Sequence, residues 1–430
     1  MAFYLGIDFG TSGVRGVVID EKALIQAEVR YSFEMSDVSD LSTCWQSALH
    51  TILEQIPQGL RREIRAIAIN GTSSTVLLCD GTGRPVDAPL LYNDARGAVI
   101  MEQLRSIAPP NHTVVSATSS LAKLLWMSQL PTFAEARYFM HQADWLAFLL
   151  HGQLGISDYH NALKLGYDVE ELRYPEWLEH LPIKIHLPKV MTPGTPIAEL
   201  RAEIADDLGF RRDCLVCTGT TDSIAAFIAS GAQSPGEAVT SLGSTLVLKL
   251  LSRKRLEDAR YGIYSHRLGD LWLVGGASNT GGAVLRQFFT DAELKSLSSE
   301  IEPENKSELD YYPLLGVGDR FPINDPNLPP RLEPRPDNPV KFLHGLLESI
   351  ARIEAQGYSL LQKLGADHLS CVYTAGGGAA NSTWTAIRAR CLGVKVVRSE
   401  NTEAAYGTAL LAITGVGKTN RQDQMLVPGD

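Results

Sequence analysis

Ile7-Asp8-Phe9-Gly10-Thr11-Ser12 and Thr240-Ser241-Leu242-Gly243-Ser244-Thr245 spell one pattern twice: a strand-forming run, a glycine, and a pair of hydroxyl residues. Around the first copy, residues 4–19 keep β-branched, alternating character on both sides of the turn and read as a hairpin. Glycine lets main chain approach a ligand closely, and Ser/Thr add hydroxyl donors to the backbone N–H groups. Each turn therefore suits an anion, and two such turns facing each other across a cleft would clamp a polyphosphate. The turn glycines, at 10 and 243, are separated by the length of one large domain, which is the signature of a duplicated domain.

A chain of 430 residues, at roughly 100–200 residues per domain, predicts two large domains or a few smaller ones, and 44% hydrophobic content can fill their cores. A net charge of −10 with no block of Lys or Arg argues against nucleic acid and anionic membrane as partners. A phosphate ligand must then be held by local donors and metal. The six cysteines are scattered, and the one close pair, Cys214 and Cys217, lies in an apolar run; they read as reduced core thiols of a cytosolic protein. No basic and apolar leader opens the chain, and no stretch approaches the roughly 18 apolar residues of a span, so a cytoplasmic protein is expected. Oligomeric state is not legible.

The remaining order is α/β. A helix is predicted near 43–56, a strand over 64–69, the polar loop Asn70-Gly71-Thr72-Ser73-Ser74, and a strand over 75–80. Residues 109–207 read as mainly helical with proline interruptions. They lead to a strand ending in Thr220-Thr221-Asp222 and a helix over 223–229. The small, polar stretch 230–236 is the expected domain break. Beyond the second hairpin come a strand over 271–275, a loop over 276–282, a helix, a proline-dense surface excursion over 322–339 and a long amphipathic helix over 340–364. A strand over 369–374, the loop Ala375-Gly376-Gly377-Gly378 and a helix over 382–392 follow.

Several motifs carry competing readings. Gly415-Val416-Gly417-Lys418-Thr419 imitates a P-loop ending, but Ala412 stands where its first glycine should be and a helix precedes it; it reads as a helix end and tail. The triple glycine lacks the third glycine of a dinucleotide fingerprint, with Asn381 in its place, so a nicotinamide enzyme is not expected. It still joins a strand to a helix, where a base or ribose can press on main chain with Asn381 and Trp384 close by; a tight turn capped by Asn381 or Ser382 accounts for it equally. Asp8, inside an apolar strand, must be paired, metal-linked or solvated, or serve an Asx turn. Asp222 suits a helix N-cap as well as chemistry. Asp94 and Arg96 can address a polyol or form a local ion pair. His141, His151 and His160 lack metal spacing, and Asp144 reads as a helix start.

Taken in order, Leu5 to Arg15, Leu91-Tyr92-Asn93-Asp94-Ala95-Arg96, Gly219-Thr220-Thr221-Asp222, Ser241 to Thr245 and Ala375 to Ala379 resemble the FGGY carbohydrate kinases over nearly the whole chain. Glu403 to Leu411 is similar to that family's closing helix. The resemblance implies a two-domain, actin-like ATPase fold of ribonuclease-H-like sheets, with ATP in the interdomain cleft. It implies residues 1–229 as the sugar-binding domain, rejoined by 403–430, and 230–402 as the nucleotide-binding domain. Asp222 would be the general base, Asp8 the Mg²⁺ carboxylate, and Gly10 and Thr11 the γ-phosphate contacts. Gly243, Ser244 and Thr245 would hold the nucleotide phosphates, while Gly377, Gly378 and Asn381 would meet adenosine.

On the sugar side the sequence departs from better-known members. Xylulose-kinase-like relatives carry a Gln-x-His-Gly loop and a Trp before the Asn-Asp pair, where this chain has Gly71-Thr72-Ser73-Ser74-Thr75 and Tyr92. The pattern is most similar to the plant and cyanobacterial sugar kinases, which implies D-ribulose, with Ser12, Gly13, Arg15, Ser73, Asp94, Arg96 and Asp222 lining the pocket. Two rivals stand beside it: a kinase for xylulose or another polyol such as glycerol, and a non-catalytic actin-like ATP-binding switch.

Overall fold

The computed structural model describes residues 2–33, 40–179, 181 and 183–425. Two compact units emerge from the chain's contacts: residues 1–229 with 403–430, and residues 230–402.

The first unit is built on a six-stranded sheet. Its order is Ile25–Ser32, Gly13–Asp20, Phe3–Phe9, Ile64–Gly71, Leu215–Thr221, Pro196–Glu199. The first three strands meander antiparallel, with Phe9 opposite Val14 and Asp8 opposite Arg15, so the hairpin closes on Gly10 to Gly13. Phe3–Phe9, Ile64–Gly71 and Leu215–Thr221 then run parallel, buried on both faces and correspondingly rich in Ile, Leu and Val. One face packs the helices Leu41–Gln55 and Gln142–His151 through Trp45, Leu49, Ile52 and Trp145. The other is covered by Ala404–Met425, whose Ala405, Ala409 and Ala412 nest against Tyr4, Val17 and Ala68. The approach is close enough that a Cβ on Gly6 would lie 2.0 Å from the Ala405 carbonyl oxygen, so only glycine fits there.

The second unit repeats the plan. Its sheet order is Tyr264–Leu268, Leu271–Ser278, Leu246–Ser252, Glu237–Leu242, Cys371–Ala375, Lys395–Arg398. The hairpin strands pair antiparallel with Leu242 opposite Leu246, and Glu237–Leu242 pairs parallel with Cys371–Ala375. Both sheets thus share an antiparallel meander continued by parallel strands, with Pro196–Glu199 an antiparallel edge on the first, the mixed α/β architecture expected of an actin-like ATPase.

Helices Leu41–Gln55, Asp222–Ala229, Pro339–Lys363 and Ser382–Leu392 fall within a few residues of expectation. Residues 109–207 do not: alongside Ser120–Met127 and Gln142–His151 they hold the strands Tyr138–His141, Ile156–Asp158, Lys189–Met191 and Pro196–Glu199. These are three or four residues long, too short to show a period of two in sequence. The 415–419 segment is also corrected, because it lies inside the closing helix, which runs on to Met425; Gly415 packs against Gly194. The side chains of residues 418 and 419 lie outside the described residues.

Candidate active site

The first unit gathers polar groups where its parallel strands end. In register, Asp8 pairs with Asn70, and Asn70 with Thr220. Three residues from three adjacent strands therefore form one row, and Asp222 follows two positions on, at the first turn of Asp222–Ala229. The row depends on Gly219. A Cβ there would lie 1.7 Å from the Ile69 carbonyl oxygen, and the register of the pair shifts between Cys217 and Thr220, re-aiming the strand end. Asp8 Oδ1, Asn70 Oδ1 and Thr221 Oγ1 are all buried without a hydrogen-bond partner. Native proteins pair nearly all such atoms, and these three lie at the ends of adjacent strands. Ligands of open α/β sheets bind at this strand end.

The Asp8 carboxyl is pushed up to about 7, first by burial and then by the charge of Asp222, with Arg15 opposing and Glu403 reinforcing. Arg15 pairs with Glu403, and the Asn70 amide donates to Thr408 Oγ1 at 2.7 Å. The closing helix and the residue before it thereby complete the corner. Sequence reasoning missed Asn70, Glu403 and Thr408, which act here only because the C-terminal segment returns to the first strand. Asp222 Oδ1 accepts from the Ser223 N–H at 2.6 Å in the first turn of its helix.

Asp8 suits a hard divalent cation, since Mg²⁺ is held through one or two carboxylates plus water and phosphate oxygens. Among the described residues no group of three or more His, Cys, Asp or Glu could by itself enclose a metal ion. Thr11 and Ser12 are exposed at the hairpin turn, with the Gly10 N–H donating to the Gly13 carbonyl at 3.0 Å.

Ser73, half-buried, lies just beyond Gly71 of the central strand. Asp94 accepts from the Arg96 backbone N–H and from its Nε, each at 2.9 Å, and the Arg96 guanidinium sits 5.0 Å over the Trp126 ring. The local ion pair and an outward-facing Arg–Asp unit thus coexist. Tyr92 and Asn93 are exposed. His141 stands between Ser120 Oγ at 3.1 Å and Asp144 Oδ2 at 3.0 Å, while Asp144 caps its helix; all three are buried. Buried in this way, they tie two helix starts together.

In the second unit, Ser241 pairs with Ala375, so the Gly243 turn and the glycine loop leave neighbouring strands side by side. The turn is braced from behind: Gly282 N–H donates to the Gly243 carbonyl at 2.9 Å and Ala283 N–H to the Ser244 carbonyl at 3.2 Å. Asp319, next to the proline-dense excursion, fixes the bracing loop by accepting from Ser278 Oγ and the Asn279 N–H. Asn381 caps Ser382–Leu392 through the Trp384 N–H and also donates to Ser298 Oγ. Gly377 and Gly378 lie between, with Arg286 beside Gly377. Trp384 is 2% exposed and its indole N–H donates to the Leu347 carbonyl, so it supports the glycine loop from beneath and offers no face to a base.

Beneath both loops, Arg388 donates in bidentate fashion to Glu354 at 2.6 and 2.7 Å and to Thr374 Oγ1 at 2.7 Å, and Thr240 donates to the same carboxylate. Both charges are fully buried. All six cysteines are free, and burial pushes Cys79 and Cys217 up to about 12, leaving inert thiols. Among the described residues, no helix is long and apolar enough to cross a membrane.

Two duplicated sheets of this kind, each with a glycine hairpin, are the fold of an actin-like ATPase. Residues 3–229 match the N-terminal domain, and residues 238–416 the C-terminal domain, of the FGGY family of carbohydrate kinases. The chain belongs to that family, and it is a phosphotransferase that uses ATP and an alcohol acceptor. It is 23% identical to the xylulose kinase of Bacillus subtilis (strain 168), over 97% of this chain and 89% of that one. Its fold is similar to that of ligand-bound xylulose kinase from Lactobacillus acidophilus, with a TM-score of 0.83, 19% identity, and 97% and 90% of the two chains covered. It is likewise similar to Plasmodium falciparum glycerol kinase with ADP, with a TM-score of 0.83, 17% identity, and 100% and 93% covered.

Proposed function

We propose that this kinase phosphorylates a ketopentose hydroxyl, with D-ribulose giving D-ribulose 5-phosphate. The observation that supports it most is the set of unpartnered buried oxygens on Asp8, Asn70 and Thr221 at the ends of three adjacent strands, with the Asp222 carboxylate close enough to raise the proton affinity of Asp8. Phosphoryl transfer asks little covalent chemistry of a protein beyond alignment of hydroxyl and γ-phosphorus and neutralisation of charge.

In this reading Asp222 accepts the proton of the sugar hydroxyl. Asp8 would hold Mg²⁺ directly or through water, and that ion supplies neutralisation of phosphate charge. Gly10 and Thr11 approach the γ-phosphate. In the second unit Gly243, Ser244 and Thr245 hold the nucleotide phosphates, and Gly377, Gly378 and Asn381 face the adenosine. Ser12, Gly13, Arg15, Ser73, Asp94 and Arg96 contribute to the sugar side. D-ribulose is favoured over xylulose because the 71–75 loop and Tyr92 replace the residues that xylulose-kinase-like members carry; a xylulose acceptor is the second reading, favoured by the relatives' names.

Sugar-dependent ADP release, screened over ketopentoses, pentitols, gluconate and glycerol, tests the assignment. The highest kcat/KM is expected for D-ribulose. Preference for another acceptor would move the specificity, and no acceptor-dependent release from any of them would overturn the proposed function.

A further inference from the structure

Lys123 is fully buried within Ser120–Met127. Lysine is almost never so buried unless its ammonium is satisfied. Here Nζ donates to the Ser74 carbonyl oxygen at 2.7 Å and to the Leu91 carbonyl oxygen at 2.5 Å. The two acceptors belong to separate loops, one carrying Ser73 and the other Asp94 and Arg96. The segments are joined behind these points by reciprocal backbone bonds between Val76 and Leu90, at 2.9 and 2.8 Å. Beyond that bridge no further rung is made, and the ammonium spans the gap in its place.

Each loop is shaped around this contact. The Leu91 carbonyl also accepts the Asp94 N–H at 3.0 Å, so the atom that Lys123 holds is the one that closes the Asp94 turn. Ser74 adopts φ +63°, a left-handed conformation that strains a non-glycine residue. A charge-assisted bond to its carbonyl offsets that strain. One turn further along the same helix, Trp126 forms the platform under Arg96. Burial lowers the Lys123 ammonium to about 8, with Asp94 opposing the fall and Lys164 adding to it.

We propose that Lys123 is a positioning residue that fixes the spacing between Ser73 and the Asp94–Arg96 pair, and so sets the fit of the kinase for its sugar. This rests on the sugar-side assignment above. Lysine is suited to the role because its three N–H donors can address two carbonyls that lie in different planes.

The test is Lys123→Met, which fills the space but donates nothing, compared with Lys123→Arg, which keeps the charge. In Lys123→Met the KM for the sugar should rise about tenfold or more, as expected when substrate-holding groups shift by a fraction of an ångström, with the KM for ATP within about twofold. Lys123→Arg should fall between this and the wild type. Amide hydrogen exchange should quicken in residues 71–75 and 90–96 together. A folded Lys123→Met with unchanged sugar KM, equal changes in both KM values, or faster exchange in one loop alone would overturn the proposal. If Lys123→Met does not fold, Lys123→Arg must still raise the sugar KM selectively, and its failure to do so overturns the proposal equally. Should the wild type phosphorylate no sugar or polyol, the proposed function fails, while the exchange experiment still decides whether Lys123 holds both loops.

Discussion

Asp8→Asn replaces the buried carboxylate by its neutral isostere, and its effect on the ligand-free protein can be worked from the environment of the group. The carboxyl is raised from 3.8 to about 7, chiefly by burial and then by Asp222. Because the folded value lies above the unfolded one, the native state keeps a proton that the unfolded chain releases. The contribution of Asp8 to wild-type stability therefore falls as pH rises from about 4 to about 7 and is level above that. A shift of about three units is worth ~4 kcal/mol at most. Water entering an open site reduces this, so Asp8→Asn should exceed the wild type by about 1–3 kcal/mol at pH 8. That corresponds to about 2–4 °C in Tm per kcal/mol for a domain of this size. The advantage should vanish near pH 4 and open steadily to about pH 7. Thermal unfolding of both proteins across that range, without nucleotide, is the assay. The same variant should lose at least about 100-fold in sugar-dependent ADP release, as removal of an electrostatic anchor does. A stability difference that is absent, or that does not change with pH, would refute the account of Asp8 as a carboxyl kept protonated by burial and by Asp222.

Three further outcomes follow from the same geometry. The kcat/KM for ATP should fall about tenfold per pH unit below about 7, because protonated Asp8 cannot hold a cation and this parameter reports the free enzyme; a flat profile from about pH 5.5 to 8 contradicts it. Asp222→Ala should abolish sugar phosphorylation while ATP affinity, measured by calorimetry, stays within about twofold, and near-normal turnover would remove Asp222 from the role of base. Arg388→Met leaves the Glu354 carboxylate buried without its partner and should cost about 3–5 kcal/mol, whereas Arg388→Met combined with Glu354→Leu should recover much of the loss in chemical denaturation.

The hairpins were legible because their information is local. Alternating β-branched residues flank glycine turns, and Gly10 and Gly243 fall where the antiparallel ladders close. Ser382–Leu392 was equally readable, since Asn381 supplies its cap and Gly393 its left-handed end. The short strands between 138 and 199 were not, because pairs such as Val76 with His141 are fixed by partners distant in sequence. His141 and Asp144 look like an ordinary helix start, and their link to Ser120 is visible only when two helices meet. Trp384 misled for a related reason: closeness in sequence to a glycine loop says nothing about which side of it the ring occupies.

By itself the amino-acid sequence determined the two-fold plan, the glycine turns, and the presence of carboxylates at two strand ends, all consequences of backbone preference and hydrophobic period over a dozen residues. Tertiary structure alone decided their chemistry. Asp8 has its raised proton affinity because burial and the charges of Asp222 and Glu403 outweigh Arg15, and Glu403 arrives from the far end of the chain. Lys123 matters because two loops happen to end within reach of one ammonium. Burial and charge are sums over neighbours in space, and such sums are settled only when distant segments pack.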